Sequence, residues 1–166
     1  MNQQIDELIH SKENVLFIFD FDGTMIEAKY DENTVLGCKN QACDALRRNL
    51  QVDVYEKTKP LKRTQDMVRT IYLNNKKAKV LSKVSDSIEV LNKMKHLHNN
   101  YPQIRIDDFI GVTEYEQKAV VLEYYSQIYD KVVYIDDYLD FLLKLEDTLT
   151  DINNIKYFHI SSLFLD

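Results

Sequence analysis

An α/β fold, with a central, mostly parallel five-stranded sheet flanked by helices, is predicted by three observations. Strand-like apolar runs alternate along the chain with stretches whose apolar residues recur at helical spacing, the pattern of successive βα units. The leading run, Val15-Leu16-Phe17-Ile18-Phe19, is continuously apolar, as expected for a strand covered on both faces. At 166 residues, 45% apolar and 29% charged, the chain can bury one core without disulfides or structural metal.

The elements follow in order. Val15–Phe19 is the first strand, and it ends abruptly in Asp20-Phe21-Asp22-Gly23-Thr24. Residues 25–37 are mixed and polar and read as a flap above that strand's end. Ala42, Cys43, Leu46 and Leu50 recur at helical spacing, and so do Met67, Val68, Ile71 and Tyr72, in a helix expected to begin near Pro60. Residues 25–76 are therefore a flap and a small helical insertion within a single domain spanning 1–166. Ala78–Leu81 is the second strand, ending at Ser82. Asp86-Ser87-Ile88-Glu89 has the form of a capping box and opens a helix carrying Ile88, Leu91 and Met94. A short third strand is expected around Asp108–Gly111. Thr113-Glu114-Tyr115-Glu116 repeats the capping pattern ahead of Val120, Val121, Tyr124, Tyr125 and Ile128. Lys131–Ile135 is the fourth strand and runs into Asp136-Asp137. A helix from about Tyr138 to Leu149 and a last strand at Ile155–Ile160 complete the fold.

Composition removes several classes of function. The longest apolar runs are about five residues, far below the roughly 20 needed to span a bilayer. The N-terminal residues lack a basic start and an apolar stretch, so a cytoplasmic protein without a membrane span is expected; export through a specialised apparatus needs no such signal. Cys38 and Cys43 have no further cysteine to pair with and no metal-ligand spacing, which reads as two reduced thiols. The net charge of −6 is uneven, because residues 28–76 hold ten Lys/Arg against six Asp/Glu. Within them, residues 57–63 carry four cations and no acid. This is either a solvated helix-start loop or a patch that steers an anionic substrate. The acidic remainder disfavours nucleic acid, which normally needs a basic face.

Two strands end in paired acids, Asp20/Asp22 and Asp136/Asp137. If they are parallel neighbours, four carboxylates meet at one sheet edge, and without a partner they repel one another. A hard divalent cation relieves this; Mg²⁺ takes oxygen ligands, one or two carboxylates, and keeps waters and a phosphate. Such a site suits phosphoryl transfer. His96 and His98 stand two apart on a helix and face different directions, and His10 and His159 read as incidental.

Asp20-Phe21-Asp22-Gly23-Thr24 after an apolar strand resembles the DxDGT first motif of the haloacid dehalogenase (HAD) superfamily, and the order of later motifs is similar over nearly the whole chain. Ser82 resembles the second-motif hydroxyl that bonds the transferring phosphoryl, with Ser85 as its alternative. Lys118 resembles the third-motif lysine, with Lys83 as its alternative. Asp136-Asp137 resembles the fourth motif, with Asp140 a second candidate for the outer acid. The resemblance implies a HAD-like Rossmannoid domain and a role for each residue. Asp20 is the nucleophile and forms an aspartyl-phosphate. Asp22 is the general acid/base. Ser82 and Lys118 bind the phosphoryl group. Gly23 allows the chain to turn sharply beneath it, and Thr24 bonds the local backbone and fixes the loop. Mg²⁺ is held by Asp20, the backbone carbonyl of Asp22, Asp136 and Asp137. An acid at the second position of the motif points to phosphatases and phosphotransferases.

About 60 positions separate Asp22 from Ser82, and about 36 separate Ser82 from Lys118. These intervals leave no room for a large cap domain. By analogy with family members lacking caps, an open site suits a bulky phosphorylated substrate, a phosphoprotein and in particular phosphotyrosine. Small phosphate monoesters, nucleic-acid ends and a non-catalytic phosphate-binding role are the alternatives.

Overall fold

In a computed structural model of the chain, the residues described are 2–27, 53, 55–56 and 58–164. They form an α/β fold with a five-stranded sheet, all of whose pairings are parallel, flanked by helices. The expected helix at 42–50, both cysteines, Lys57 and most of the flap lie outside the described residues. The order is α1 (Gln3–His10), β1 (Val15–Phe19), α2 (Lys62–Leu73), β2 (Lys77–Lys83), α3 (Ser87–Asn100), a 3₁₀ turn (Ile106–Asp108), β3 (Phe109–Val112), α4 (Glu116–Ser126), β4 (Lys131–Asp136), α5 (Leu139–Thr148), β5 (Ile155–His159) and a closing 3₁₀ turn (Ile160–Leu163).

Across the sheet the strands run β3-β2-β1-β4-β5. The chain winds outward from β1 in one direction, then returns to lay β4 against the other side of β1. All five residues of β1 are buried, and their side chains alternate between two cores. Val15, Phe17 and Phe19 pack with Ile5 and Ile9 of α1, Met67, Val68 and Ile71 of α2 and Leu97 of α3. Leu16 and Ile18 pack with Leu122 of α4 and Phe141, Leu142 and Leu145 of α5. The continuously apolar run is thus a period-two pattern with two buried faces. Helices before and after the reversal lie on opposite faces, as right-handed crossovers require.

Several helix details differ from the sequence reading. α1 was not expected; Ile5 and Ile9, one turn apart, bury a short helix capped by Asn2, whose side chain accepts from the Gln4 amide at 2.9 Å. α2 begins at Lys62, and Pro60 instead stands in a bridge to Ile26. In α3 the inward face is Lys93, His96 and Leu97, whereas Ile88 and Leu91 are exposed. Asp86 does cap α3, accepting from the Glu89 amide at 2.8 Å. Glu89 does not close the box, because its carboxylate accepts from the Ser85 amide, one residue further out, at 2.7 Å. At α4, Gln117 rather than Glu116 reaches back, to the Thr113 and Glu114 amides. α4 turns Val121 and Tyr125 toward the core and leaves Val120 and Tyr124 exposed, while Ile128, also exposed, lies past the helix end. The apolar set taken as one stripe covers two sides of the helix.

Among the described residues no helix is long and apolar enough to cross a membrane. Phe17 is fully buried at the centre of the sheet. Phe17→Ala is expected to cost about 3–5 kcal/mol of stability through a cavity that the flanking strands cannot close, read as a lower urea midpoint at unchanged slope.

Candidate functional site

The sheet places the acids. Parallel pairing sets Phe19 beside Ile135, so Asp20 and Asp136 leave neighbouring strands at the same level. The Asp20 amide continues the ladder by donating to the Ile135 carbonyl at 2.9 Å. This is the carboxyl edge of the sheet at the point where strand order reverses, where open α/β sheets form their ligand crevices. A cleft of 390 Å³ opens there, lined by Asp20, Asp22, Ser82, Lys83, Ser85, Glu89, Tyr115, Lys118, Asp136, Asp137 and Tyr138.

Asp20, Asp136 and Asp137 each present a carboxylate oxygen, all within 4.8 Å of one another. This cluster of hard oxygen donors fits a hard cation such as Mg²⁺. Asp140 lies outside it. The Asp22 carboxylate is not part of it either, which leaves any metal contact from Asp22 to its backbone carbonyl. Burial pushes the Asp20 carboxyl above its ordinary value; Lys118 pulls it down, and Asp136 adds to the rise. Asp137 is raised by burial and by the charge of Asp136.

Lys118 is in the first turn of α4, 1% exposed. Its ammonium donates to Asp20 Oδ1 at 2.7 Å, Tyr134 Oη at 3.0 Å and Asp136 Oδ2 at 3.4 Å. It is Lys118, and not Lys83, that reaches Asp20; the Lys83 ammonium lies 4.6 Å over the Tyr115 ring. Tyr134 donates to Asp136 Oδ2 at 2.5 Å, while the Tyr138 amide donates to Asp136 Oδ1 at 2.9 Å. Both oxygens of Asp136 are therefore oriented before any ligand arrives.

On the opposite side of the cleft stands a residue that sequence reasoning missed. Lys93 of α3 is fully buried. Its ammonium donates to Asp22 Oδ2 at 2.8 Å, Ser82 Oγ at 2.9 Å and the Lys83 carbonyl at 2.9 Å, and pairs with Glu89 Oε1 at 3.0 Å. Burial alone would lower its pKa, but the charges of Asp22 and Glu89 outweigh burial and raise it. The available signal was Glu89 four residues before Lys93 on a helix, a favourable ion-pair spacing, which a search for apolar faces discards. Tyr134 was legible in the same way, two residues before Asp136 on one strand face.

Gly23 adopts φ +73°, and a Cβ there would collide with the Asp137 carboxylate. The glycine thus admits Asp137 to the cluster. Thr24 behaves differently from expectation. Its buried hydroxyl has no partner among the described residues, and the loop is held instead by Thr64, whose hydroxyl donates to the Thr24 carbonyl at 2.7 Å. Ser82 and Ser85 both line the cleft, but Ser82 carries the hydroxyl bonded into the site. His159 is not incidental: its Nε2 lies 2.9 Å from the Asp137 carbonyl and Nδ1 2.8 Å from Ser161 Oγ. This ties the acidic loop to the end of β5. His96 is buried and packs edge-on against Phe21, whereas His98 is exposed. In the basic segment, Lys62 pairs with Asp66 and Arg63 donates to the Leu163 carbonyl at 3.2 Å, so two of its cations are engaged locally.

Gly23→Ala forces a side chain into a left-handed backbone position against the Asp137 carboxylate. It is expected to cost about 1–3 kcal/mol of stability, read as a lower urea midpoint, because Asp137 must move. Comparison with known proteins returned no matching family model and no curated protein of similar sequence.

Proposed function

We propose that the protein is a Mg²⁺-dependent phosphomonoester hydrolase of the HAD type, working through an aspartyl-phosphate on Asp20. The observation that carries this reading is the disposition around Asp20. A buried carboxylate at the carboxyl end of the central strand faces a buried ammonium at 2.7 Å and two further acids able to share a cation with it.

Each group has a task. A phosphate monoester entering the cleft brings two negative charges against an acidic wall. Lys118 and the Ser82 hydroxyl offset and orient the equatorial oxygens, which carry charge in the transition state. The Asp20 carboxylate attacks phosphorus in line, forming an O–P bond as the ester O–P bond breaks. Asp22 delivers its proton to the departing oxygen. In the second half-reaction the Asp22 carboxylate takes a proton from water as that water attacks phosphorus. The Asp20–phosphorus bond then breaks, releasing inorganic phosphate and restoring Asp20. Mg²⁺ held by Asp20, Asp136, Asp137 and the Asp22 carbonyl would supply charge neutralisation for the phosphoryl oxygens. Tyr134, Gly23 and His159 keep the acids in position.

A bulky substrate is favoured. No large cap stands over the cleft among the described residues, and two half-exposed tyrosines, Tyr115 and Tyr138, border it. A phosphoprotein, with phosphotyrosine as the leading case, suits such a rim, because aromatic rings pack well against one another.

A panel of phosphotyrosyl and phosphoseryl peptides, 3′-phosphorylated DNA, nucleotides and sugar phosphates tests the reading. Turnover is expected with Mg²⁺ and not after chelation, fastest on phosphotyrosyl peptide. Asp20→Asn should lose at least about 10³-fold in kcat, as removal of a nucleophile does. Mg²⁺ and phosphate binding without hydrolysis of any ester would instead make the chain a phosphate-binding module.

A further inference from the structure

The catalytic roles above leave Lys93 without a task, although its ammonium is as closely surrounded as that of Lys118. It is fully buried, its ammonium is shared among Asp22, Ser82, Glu89 and the Lys83 carbonyl, and the rings of Phe21 and Tyr55 lie 5.4 and 5.5 Å away. Glu89 is in turn fixed by the Ser85 amide and by the Tyr55 hydroxyl at 3.2 Å. Lys93 is bonded to Asp22 and Ser82, which line the cleft, and is not itself among the lining residues. Buried ion pairs contribute little net stability compared with apolar packing, so a purely structural account of a buried lysine here is weak.

The Asp22 side chain has the opposite character. It is 45% exposed, and Asp20, Asp136 and Asp137 lie across the same cleft. Like charges drive an unrestrained carboxylate out toward solvent. The Lys93 ammonium is the one group holding an Asp22 oxygen by a side-chain hydrogen bond among the described residues. The same ammonium reaches the Ser82 hydroxyl. It therefore fixes the separation between the acid/base group and the phosphoryl-binding hydroxyl.

We infer that Lys93 is a positioning residue that holds Asp22 where the leaving-group oxygen must be protonated, with Glu89 as the second anchor of the ammonium. The inference rests on the phosphatase reading. Losing Lys93 also frees the Ser82 hydroxyl, a small cost common to every ester, but its distinguishing effect is to impair proton delivery from Asp22 while Asp20, Lys118 and the acid cluster stay in place. An ester with a poor leaving group needs that proton as its O–P bond breaks, whereas a nitrophenolate departs without it. A defect in folding or in phosphate binding would slow both esters alike.

The test compares Lys93→Met with the parent protein on 4-nitrophenyl phosphate and on an alkyl phosphate. The quantity read is kcat/KM, which reports steps up to formation of the aspartyl-phosphate. The alkyl ester should lose on the order of 10²-fold, the size of a general-acid contribution, and the nitrophenyl ester less than about fivefold. In an Asp22→Asn background the same substitution should cost nothing further, because the two residues act through one step. Lys93→Gln, which keeps a polar head among the same partners, replaces Lys93→Met if thermal unfolding shows that variant to be unfolded. Equal losses on both esters, no loss on either, or a cost additive with Asp22→Asn overturns the inference while leaving the phosphatase reading intact. A parent protein inactive on both esters overturns the phosphatase reading, and this inference with it.

Discussion

Charge crowding at one sheet edge is the constraint on which the rest of this structure depends. Asp20, Asp22, Asp136, Asp137 and Glu89 all border a single cleft. Two buried ammonium groups stand among them, Lys118 between Asp20 and Asp136 and Lys93 between Asp22 and Glu89. Even with Lys83, which also lines the cleft, three cations do not balance five acids, and the imbalance is concentrated at Asp20, Asp136 and Asp137. That is where burial and mutual repulsion raise the carboxyls of Asp20 and Asp137. A divalent cation would offset this charge, and a bound phosphate would add to the need for it. In the proposed phosphatase the lysines would divide the remaining work, Lys118 beside the attacking Asp20 and Lys93 beside the acid/base Asp22.

The fold supplies this crowding by topology. β1 is central, and β4 joins it from the other direction, so the ends of two strands far apart in sequence meet at the reversal point. Because β1 is sandwiched by both cores, its carboxyl end has little freedom to relax away from the charges it carries. Local devices then refine the placement. Gly23 makes room for Asp137, Tyr134 and the Tyr138 amide orient Asp136, and His159 bridges the acidic loop to β5. None of these groups needs to react; each limits where a reacting group can go.

The strands and their charged ends were legible in the sequence because the relevant signals are local. A five-residue apolar run ending in Asp20-Phe21-Asp22-Gly23 announces both a buried strand and its terminus, and Asp136-Asp137 repeats the pattern on β4. What was not legible depends on which side of a helix faces inward. In α3 the apolar Ile88 and Leu91 point outward, and Lys93 points in. A hydrophobic-periodicity reading inverts that helix because the buried neighbour of Lys93 is a charged site rather than a core. The same reading merges two sides of α4, since Val120 and Tyr124 share its spacing with packed Val121 and Tyr125. Thr24 illustrates the reverse case, in which a motif residue expected to bond the loop leaves that task to Thr64, forty positions away.

Oxygen exchange between ¹⁸O-labelled inorganic phosphate and water tests the central claim most directly. It requires only phosphate, Mg²⁺ and the protein, and therefore no knowledge of the natural substrate. A site that forms a phosphoryl bond to Asp20 expels water from phosphate and takes it back, so label should be lost progressively with the parent protein and retained with Asp20→Asn. No loss of label with the parent protein, or undiminished loss with Asp20→Asn, would contradict the assignment of Asp20 as the nucleophile.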